Sequence, residues 1–263
     1  MNNKKGPDAG NIDIKRTGDG SDTLISEQFD QPYHSLGGAV AESRYVYFEA
    51  NGLVDALEPA ESLSILEIGF GSGLNIILLL EYIQRMDTDV HVTFHSVEAF
   101  PIGPKMAASI SFGDKLDVKG YSPLLETIFS NLTPGWNSFT ITDQIDLRLF
   151  FGTFDAMDLS ALRPFDFVLH DPFSPDSNPD GWSPELFSKI ASKSADGAML
   201  TTYGAATSAR AAMAVAGWHI ARYPGALGKR EMTVASKDPE KLSHLKRVNE
   251  SRLIERYEAG EFE

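Results

Sequence analysis

Three short stretches of this 263-residue chain carry side chains that could do chemistry. The first is HDPFSPDSNPDGW, residues 170–182, which follows the apolar run FDFVL. Proline lacks a backbone donor and stops a sheet ladder, so Asp171 ends a strand that Pro172 prevents from continuing. A carboxylate there is costly unless it is hydrated, hydrogen-bonded or employed, and the stretch alone leaves all three open. The second is LEIGFGSGLN, residues 66–75. Gly69, Gly71 and Gly73 permit a tight turn at which backbone N–H groups approach a ligand closely, or they merely turn a strand–helix corner. Glu67, just ahead of them, suits a cationic ligand, because a carboxylate beside the turn can pair with an ammonium group. The third is HVTFHSVEAF, ending in Glu98 and Ala99–Phe100. An acid at that strand end can accept both hydroxyls of a ribose.

These stretches need elements to hold them. SILEIG, HVTFHSVEA, residues 145–151, residues 165–169, AMLTTY, WHIARY and REMTVAS read as strands. LNIILLLEYIQRM, residues near 103–112 and 121–132, residues 183–193 and AATSARAAMAVAG read as helices between them. Ser183 is the N-cap and Pro184 the first helical residue of one of these. The alternation predicts an α/β fold with a mostly parallel sheet and helices on both faces. Ahead of it, IDIKRTGDGSDTLIS reads as a β-hairpin around GDG, followed by a helical stretch near 40–57. The division expected is a disordered tail (1–11), an N-terminal β-hairpin and helical extension (12–60), a catalytic domain (61–236) and a charged C-terminal helix or tail (237–263).

Composition narrows the function classes. With no cysteine, disulfides and thiolate metal sites are excluded. The six histidines show no metal-ligand spacing, and no metal is expected. The first twenty residues lack an apolar signal core, and IILLL is far too short to span a bilayer. No membrane role and a cytoplasmic location are therefore the expectations. Residues 1–199 carry 13 Lys/Arg against 29 Asp/Glu, whereas residues 200–256 carry 10 against 5. The acidic body argues against strong non-specific nucleic-acid binding, and the basic segment keeps a local nucleic-acid face open. Arg210, Arg222, Lys229 and Arg230 are either phosphate contacts or a solvated strand face. His170 reads as packed rather than catalytic. Trp182 reads as a plug beneath its loop, with base stacking as the alternative.

The combination E-x-G-x-G-x-G with Glu98 is specific for S-adenosylmethionine, and Leu74 breaks the dinucleotide fingerprint. The pair resembles the cofactor motifs of class I methyltransferases, and Asp171-Pro172-Phe173 resembles the acceptor motif of their amine-directed members. Taken with DGSDTL, YHS, AESRYV, SVEAFP and GKREM, the sequence from about 12 to 236 resembles the methyltransferase domain of the MnmC tRNA-modification family and its stand-alone relatives. That resemblance implies a Rossmann-like, seven-stranded, mostly parallel sheet. It implies N-methylation of 5-aminomethyl-2-thiouridine at the tRNA wobble position, giving 5-methylaminomethyl-2-thiouridine. The cofactor residues implied are Glu67, Gly69, Phe70, Gly71, Gly73, Asn75, Glu98, Thr153 and Phe154. Asp171 is implied as the catalytic acid. Tyr33, His34, Ser35, Pro172, Phe173, Lys229 and Arg230 are implied on the substrate side, with tRNA as partner. Two departures stand out. The family often has Gly-Asp where this chain has Gly152-Thr153, so Thr153 or Asp155 must meet the adenine amine, and D-P-F replaces D-G/A-F. No FAD-binding oxidase domain is expected in this chain. The rival readings are a methyltransferase for a different amine, small molecule or protein, and a non-catalytic cofactor-binding relative.

Overall fold

The computed structural model describes residues 10–262; the expected tail lies outside the described residues up to residue 9. The hairpin is present as β1 (Ile12–Arg16) and β2 (Asp22–Ser26), antiparallel with Ile12 opposite Ser26, and a short β3 (Gln31–Pro32) joins it. Helix α1 (Ala39–Ser43) runs into a π-helical segment (Arg44–Glu49), and α2 (Leu53–Leu57) follows. The helical stretch expected near 40–57 is thus present as three pieces.

The alternating part then begins with β4 (Ser62–Ile68), α3 (Leu74–Met86), β5 (His91–Glu98), α4 (Pro104–Ser109) and α5 (Tyr121–Ser130). It continues with β6 (Gly135–Thr142), β7 (Ile145–Phe151), β8 (Phe165–His170), α6 (Pro184–Ser192), β9 (Ser194–Thr202) and α7 (Thr207–Val215). The last elements are β10 (His219–Tyr223), β11 (Met232–Ser236), β12 (Lys246–Arg247) and α8 (Glu250–Glu258). The strands align as β12-β10-β11-β9-β8-β4-β5-β7-β6. The centre, from β9 to β7, is parallel, and the flanks are antiparallel. All seven strands read from the sequence are present. The sheet extends to nine because β6 and the two-residue β12 add an edge each. The C-terminal segment, expected as a charged helix or tail, is a 3-10 turn (Pro239–Leu242), the strand β12 and the helix α8.

Burial explains why the central strands read as continuous apolar runs. Every residue of β4 after Ser62 is buried, as a parallel strand covered on both faces must be. Its alternate side chains feed two cores, one containing Ile65, Phe94, Leu147 and Leu169, the other Leu66, Val97, Val168 and Leu200. The chain builds outward from β4 through β5 to β7, then returns to place β8 on the other side of β4. The carboxyl ends of β4 and β8 therefore flank the switch point, where open α/β sheets bind ligands. The glycine loop and Asp171 are the residues that leave those two ends.

Candidate active site

A cavity of about 690 Å³ opens at this switch point, within the range of small-molecule sites. The side where cofactor residues are expected is built from backbone. Gly69 turns the chain at φ 94°, and a Cβ there would lie 2.6 Å from the Asp171 carbonyl oxygen, so only glycine fits. Asp171 N in turn donates to Ile68 O at 3.0 Å. The two motifs are therefore side by side rather than across a crevice from each other. Glu98 lines the cavity and clasps the loop: Gly71 N donates to its Oε2 and Phe100 N to its Oε1, both at 2.8 Å. Burial pushes the Glu98 carboxyl above the usual carboxylate range, and these backbone donors oppose the shift. Each oxygen keeps a further lone-pair site for a hydroxyl.

The expected cofactor residues divide. Phe70, Gly71, Asn75, Thr153 and Phe154 line the cavity with Gly69 and Glu98, and Asp155 joins them. Lys189 Nζ donates to the Phe154 and Asp155 carbonyls and sits 4.8 Å from the Phe154 ring centroid, which fixes that turn. Gly73 instead caps α3 in the left-handed region, where a Cβ would meet Leu125 at 2.6 Å. Glu67, expected to face a cationic ligand, is 1% exposed and does not line the cavity. Its oxygens accept from Asn75 Nδ2 at 2.9 Å and Ser96 Oγ at 2.5 Å. Burial raises its carboxyl to about 7. What Glu67 does is hold Asn75, whose Oδ1 is buried without a partner among the described residues.

The side where substrate residues are expected is built from side chains of distant segments. Asp171 leaves β8 and lines the cavity, and Tyr47 Oη donates to its Oδ1 at 2.5 Å. Burial holds the Asp171 carboxyl well above the usual range; Tyr47 and Lys229 pull it down, while Glu67 and Glu42 push it up. Lys229 lines the cavity as expected, with Nζ 2.6 Å from Glu42 Oε1 and 5.5 Å from the Tyr203 ring centroid. Tyr203 Oη donates to Pro172 O at 2.9 Å. Arg230 does not join them; its side chain is 92% exposed, outside the cavity.

The aromatic wall comes from the N-terminal extension as well as the Asp171 loop. Phe29 stacks on Phe173 with centroids 4.3 Å apart, and Tyr33 meets Phe173 edge-on at 5.1 Å. Burial and the nearby Glu98 raise the Tyr33 hydroxyl well above its ordinary value. Gln31 clamps the loop, donating to Ser174 Oγ at 2.6 Å and accepting from Ser174 N at 3.2 Å. His34 and Ser35 line the cavity too; Ser35 N donates to Glu42 Oε2 at 2.7 Å, and burial lowers the His34 imidazole to about 4. Trp182 is the plug expected, donating from Nε1 to Phe173 O at 2.7 Å. His170 is fully buried, with Nε2 2.8 Å from Gly181 O.

Sequence reasoning missed Tyr47, Glu42, Tyr203 and Phe29. AESRYV contributes to the resemblance, but nothing local to it signals where Glu42 points. Among the described residues no cluster of three His, Asp or Glu is placed to hold a metal ion, and no helix is long and apolar enough to cross a membrane. The site does suit S-adenosylmethionine: a Gly69 that tolerates no Cβ, an acid at the β5 end, and an unpaired amide oxygen at Asn75 surround a cavity of adequate size.

Residues 119–238 match the family described as S-adenosyl-L-methionine-dependent methyltransferase. The tRNA 5-methylaminomethyl-2-thiouridine biosynthesis bifunctional protein MnmC of Chromobacterium violaceum is 30% identical over 215 residues, covering 80% of this chain and 32% of that protein. Its counterpart from Hydrogenovibrio crunogenus is 32% identical over 216 residues, covering 79% and 31%. This chain thus spans about a third of the length of the curated relatives it matches. The crystal structure of MNMC2 from Aquifex aeolicus shares the fold, with a TM-score of 0.72 at 23% identity, over 97% of this chain and 77% of that one. Over residues 119–238 the chain is thus similar to the S-adenosyl-L-methionine-dependent methyltransferases, and over most of its length to about a third of the MnmC proteins.

Proposed function

We propose that this protein N-methylates the primary amine of 5-aminomethyl-2-thiouridine at the wobble position of tRNA, giving 5-methylaminomethyl-2-thiouridine. The observation that carries the reading is the contact between Gly69 and Asp171. It brings the Asp171 backbone against the turn that would hold the cofactor, which supports reading the Asp171 carboxyl as the group that faces the acceptor. Bound S-adenosylmethionine would supply a methyl group on a positively charged sulfur.

The protein's own residues then have separable roles. Glu98 receives the ribose hydroxyls, and Thr153, Phe154 and Asp155 receive the adenine. Asp171, as a carboxylate, accepts an N–H of the incoming amine and aims the nitrogen lone pair, an orientation effect that can contribute on the order of 7–11 kcal/mol. In the step an N–C bond forms, the S–C bond breaks with its electron pair left on sulfur, and the nitrogen sheds one proton. The raised proton affinity of Asp171 suits it to receive that proton. Tyr33, Phe173 and Phe29 wall the acceptor and keep water out.

The names of the relatives support tRNA as the acceptor. The test is methyl transfer from labelled S-adenosylmethionine to tRNA bearing the aminomethyl group. Label on that nucleoside is the expected result; label on small amines alone would overturn the acceptor. Failure to bind S-adenosylmethionine in calorimetry would overturn the reading as a whole.

A further inference from the structure

Helix α1 does not continue as an α-helix. From Arg44 to Glu49 the backbone widens to π-helix, closed by Ala50 N donating to Tyr45 O at 3.0 Å. Such segments are rare and concentrate at functional sites. In an α-helix, residues five apart point about 140° away from each other around the axis. With i→i+5 closure the fifth residue comes back toward the same side. Glu42 and Tyr47 are five apart, and both reach the acceptor end: Glu42 lines the cavity and Tyr47 donates to Asp171.

Tyr47 is 1% exposed and does not line the cavity itself. Its backbone is held as well: Asn51 Nδ2 donates to Tyr47 O at 3.1 Å and to Thr201 Oγ1 at 3.3 Å, tying the π segment to β9. A buried phenol that ends on Oδ1 of the acceptor carboxylate has one chemical use there.

We propose that Tyr47 is a positioning residue for methyl transfer, its hydroxyl holding Oδ1 of Asp171 so that Oδ2 meets the acceptor nitrogen. The π-helical widening is what delivers it. This rests on the reading of Asp171 as the acceptor-binding carboxylate. The charged and titratable groups facing Asp171 are Tyr47 from the π segment, Glu42 from α1, Glu67 from β4, Tyr203 after β9 and Lys229 after β10. Burial, Glu67 and Glu42 favour its neutral form. Tyr47 and Lys229 favour the carboxylate, and Tyr47 alone does so through a hydrogen bond.

Tyr47→Phe keeps the ring and removes only the donor. Two measurements on the full chain, made below the melting midpoints of both proteins, test the role. One is an NMR titration of 13C-labelled aspartate carboxyls, with Asp171 assigned by comparison with Asp171→Asn. The other is the pH profile of kcat for methyl transfer. In Y47F the Asp171 carboxyl titrates at higher pH, and the acid limb of kcat moves the same way. At neutral pH kcat falls about tenfold or more, with calorimetric affinity for S-adenosylmethionine unchanged. An unmoved carboxyl titration, or a lower kcat on an unmoved acid limb, overturns the proposal and leaves Tyr47 a packing residue. If the wild-type protein transfers no methyl to tRNA, the acceptor reading fails, and the carboxyl titration still decides Tyr47.

Discussion

The two sides of the cavity are built in different ways. The cofactor side is local: one βα turn after β4, one strand end at β5, and backbone N–H groups of Gly71 and Phe100 folded onto Glu98. The acceptor side is assembled from afar: Asp171 after β8, Tyr47 and Glu42 from the N-terminal helical segments, Tyr203 after β9 and Lys229 after β10. The difference predicts that cofactor binding can survive changes that destroy acceptor alignment, because the two sides meet mainly where Ile68, Gly69 and Gly71 approach Asp171 and Tyr33.

The largest effect should come from the acceptor side alone. Asp171→Ala is expected to lower kcat on the order of 10²–10⁴-fold, while calorimetry shows S-adenosylmethionine binding as in wild type. Equal loss of both would mean that the two sides are one unit.

Next comes Glu67, the buried acid beneath the cofactor turn. Its carboxyl rises from 4.5 to about 7 on folding, so its contribution to stability is complete below the unfolded value and is lost as pH rises through about 7. The expected loss is on the order of 3 kcal/mol at most. His95 and His170 act in the opposite sense. Burial lowers each to about 4, so their contribution is present above about pH 6.5 and is lost as pH falls toward about 4. In urea unfolding the two effects therefore oppose each other between about pH 4.5 and 7, Glu67 lowering stability as pH rises and the histidines raising it. Glu67→Gln should remove the opposing effect, so that stability rises more steeply with pH between about 4.5 and 7; an unchanged slope there would contradict the buried acid.

Gly69→Ala strikes the junction. Its φ of 94° and the 2.6 Å approach to the Asp171 carbonyl predict a stability loss of about 1–3 kcal/mol, with cofactor affinity and turnover falling together. Denaturant melts and calorimetry on one preparation test this, and wild-type values in both would remove the junction. The smallest change is Glu98→Ala, for which the loss is about tenfold in S-adenosylmethionine affinity with kcat at saturating cofactor nearly intact. A fall in kcat larger than the fall in affinity would put Glu98 on the acceptor side.

Residues close in sequence were legible before the fold was known. Strand and helix periods, the glycine turn, Glu98 at a strand end, the Ser183 N-cap and the proline-stopped Asp171 are all set by backbone chemistry within a few residues. Each appears where the sequence placed it. The edges of the sheet were less legible, because β6 alternates without a strong apolar run and β12 is two residues long.

Tertiary structure decided the rest. Glu67 lies in a motif that invites a ligand, yet packing turned it inward onto Asn75 and Ser96, since a β4 carboxylate facing the core must find donors there. Arg230 lies next to Lys229, but only Lys229 reaches the cavity, because adjacent residues leaving an extended backbone point to opposite sides. Tyr47 and Asp171 are 124 positions apart, and no periodicity in AESRYVYFE announces a π-helix. The sequence by itself determined where the chain turns and which acids end its strands, because those are local steric and hydrogen-bonding choices. Which of those acids lines the cavity, and which tyrosine donates to Asp171, depended on packing between elements that only the folded sheet brings together.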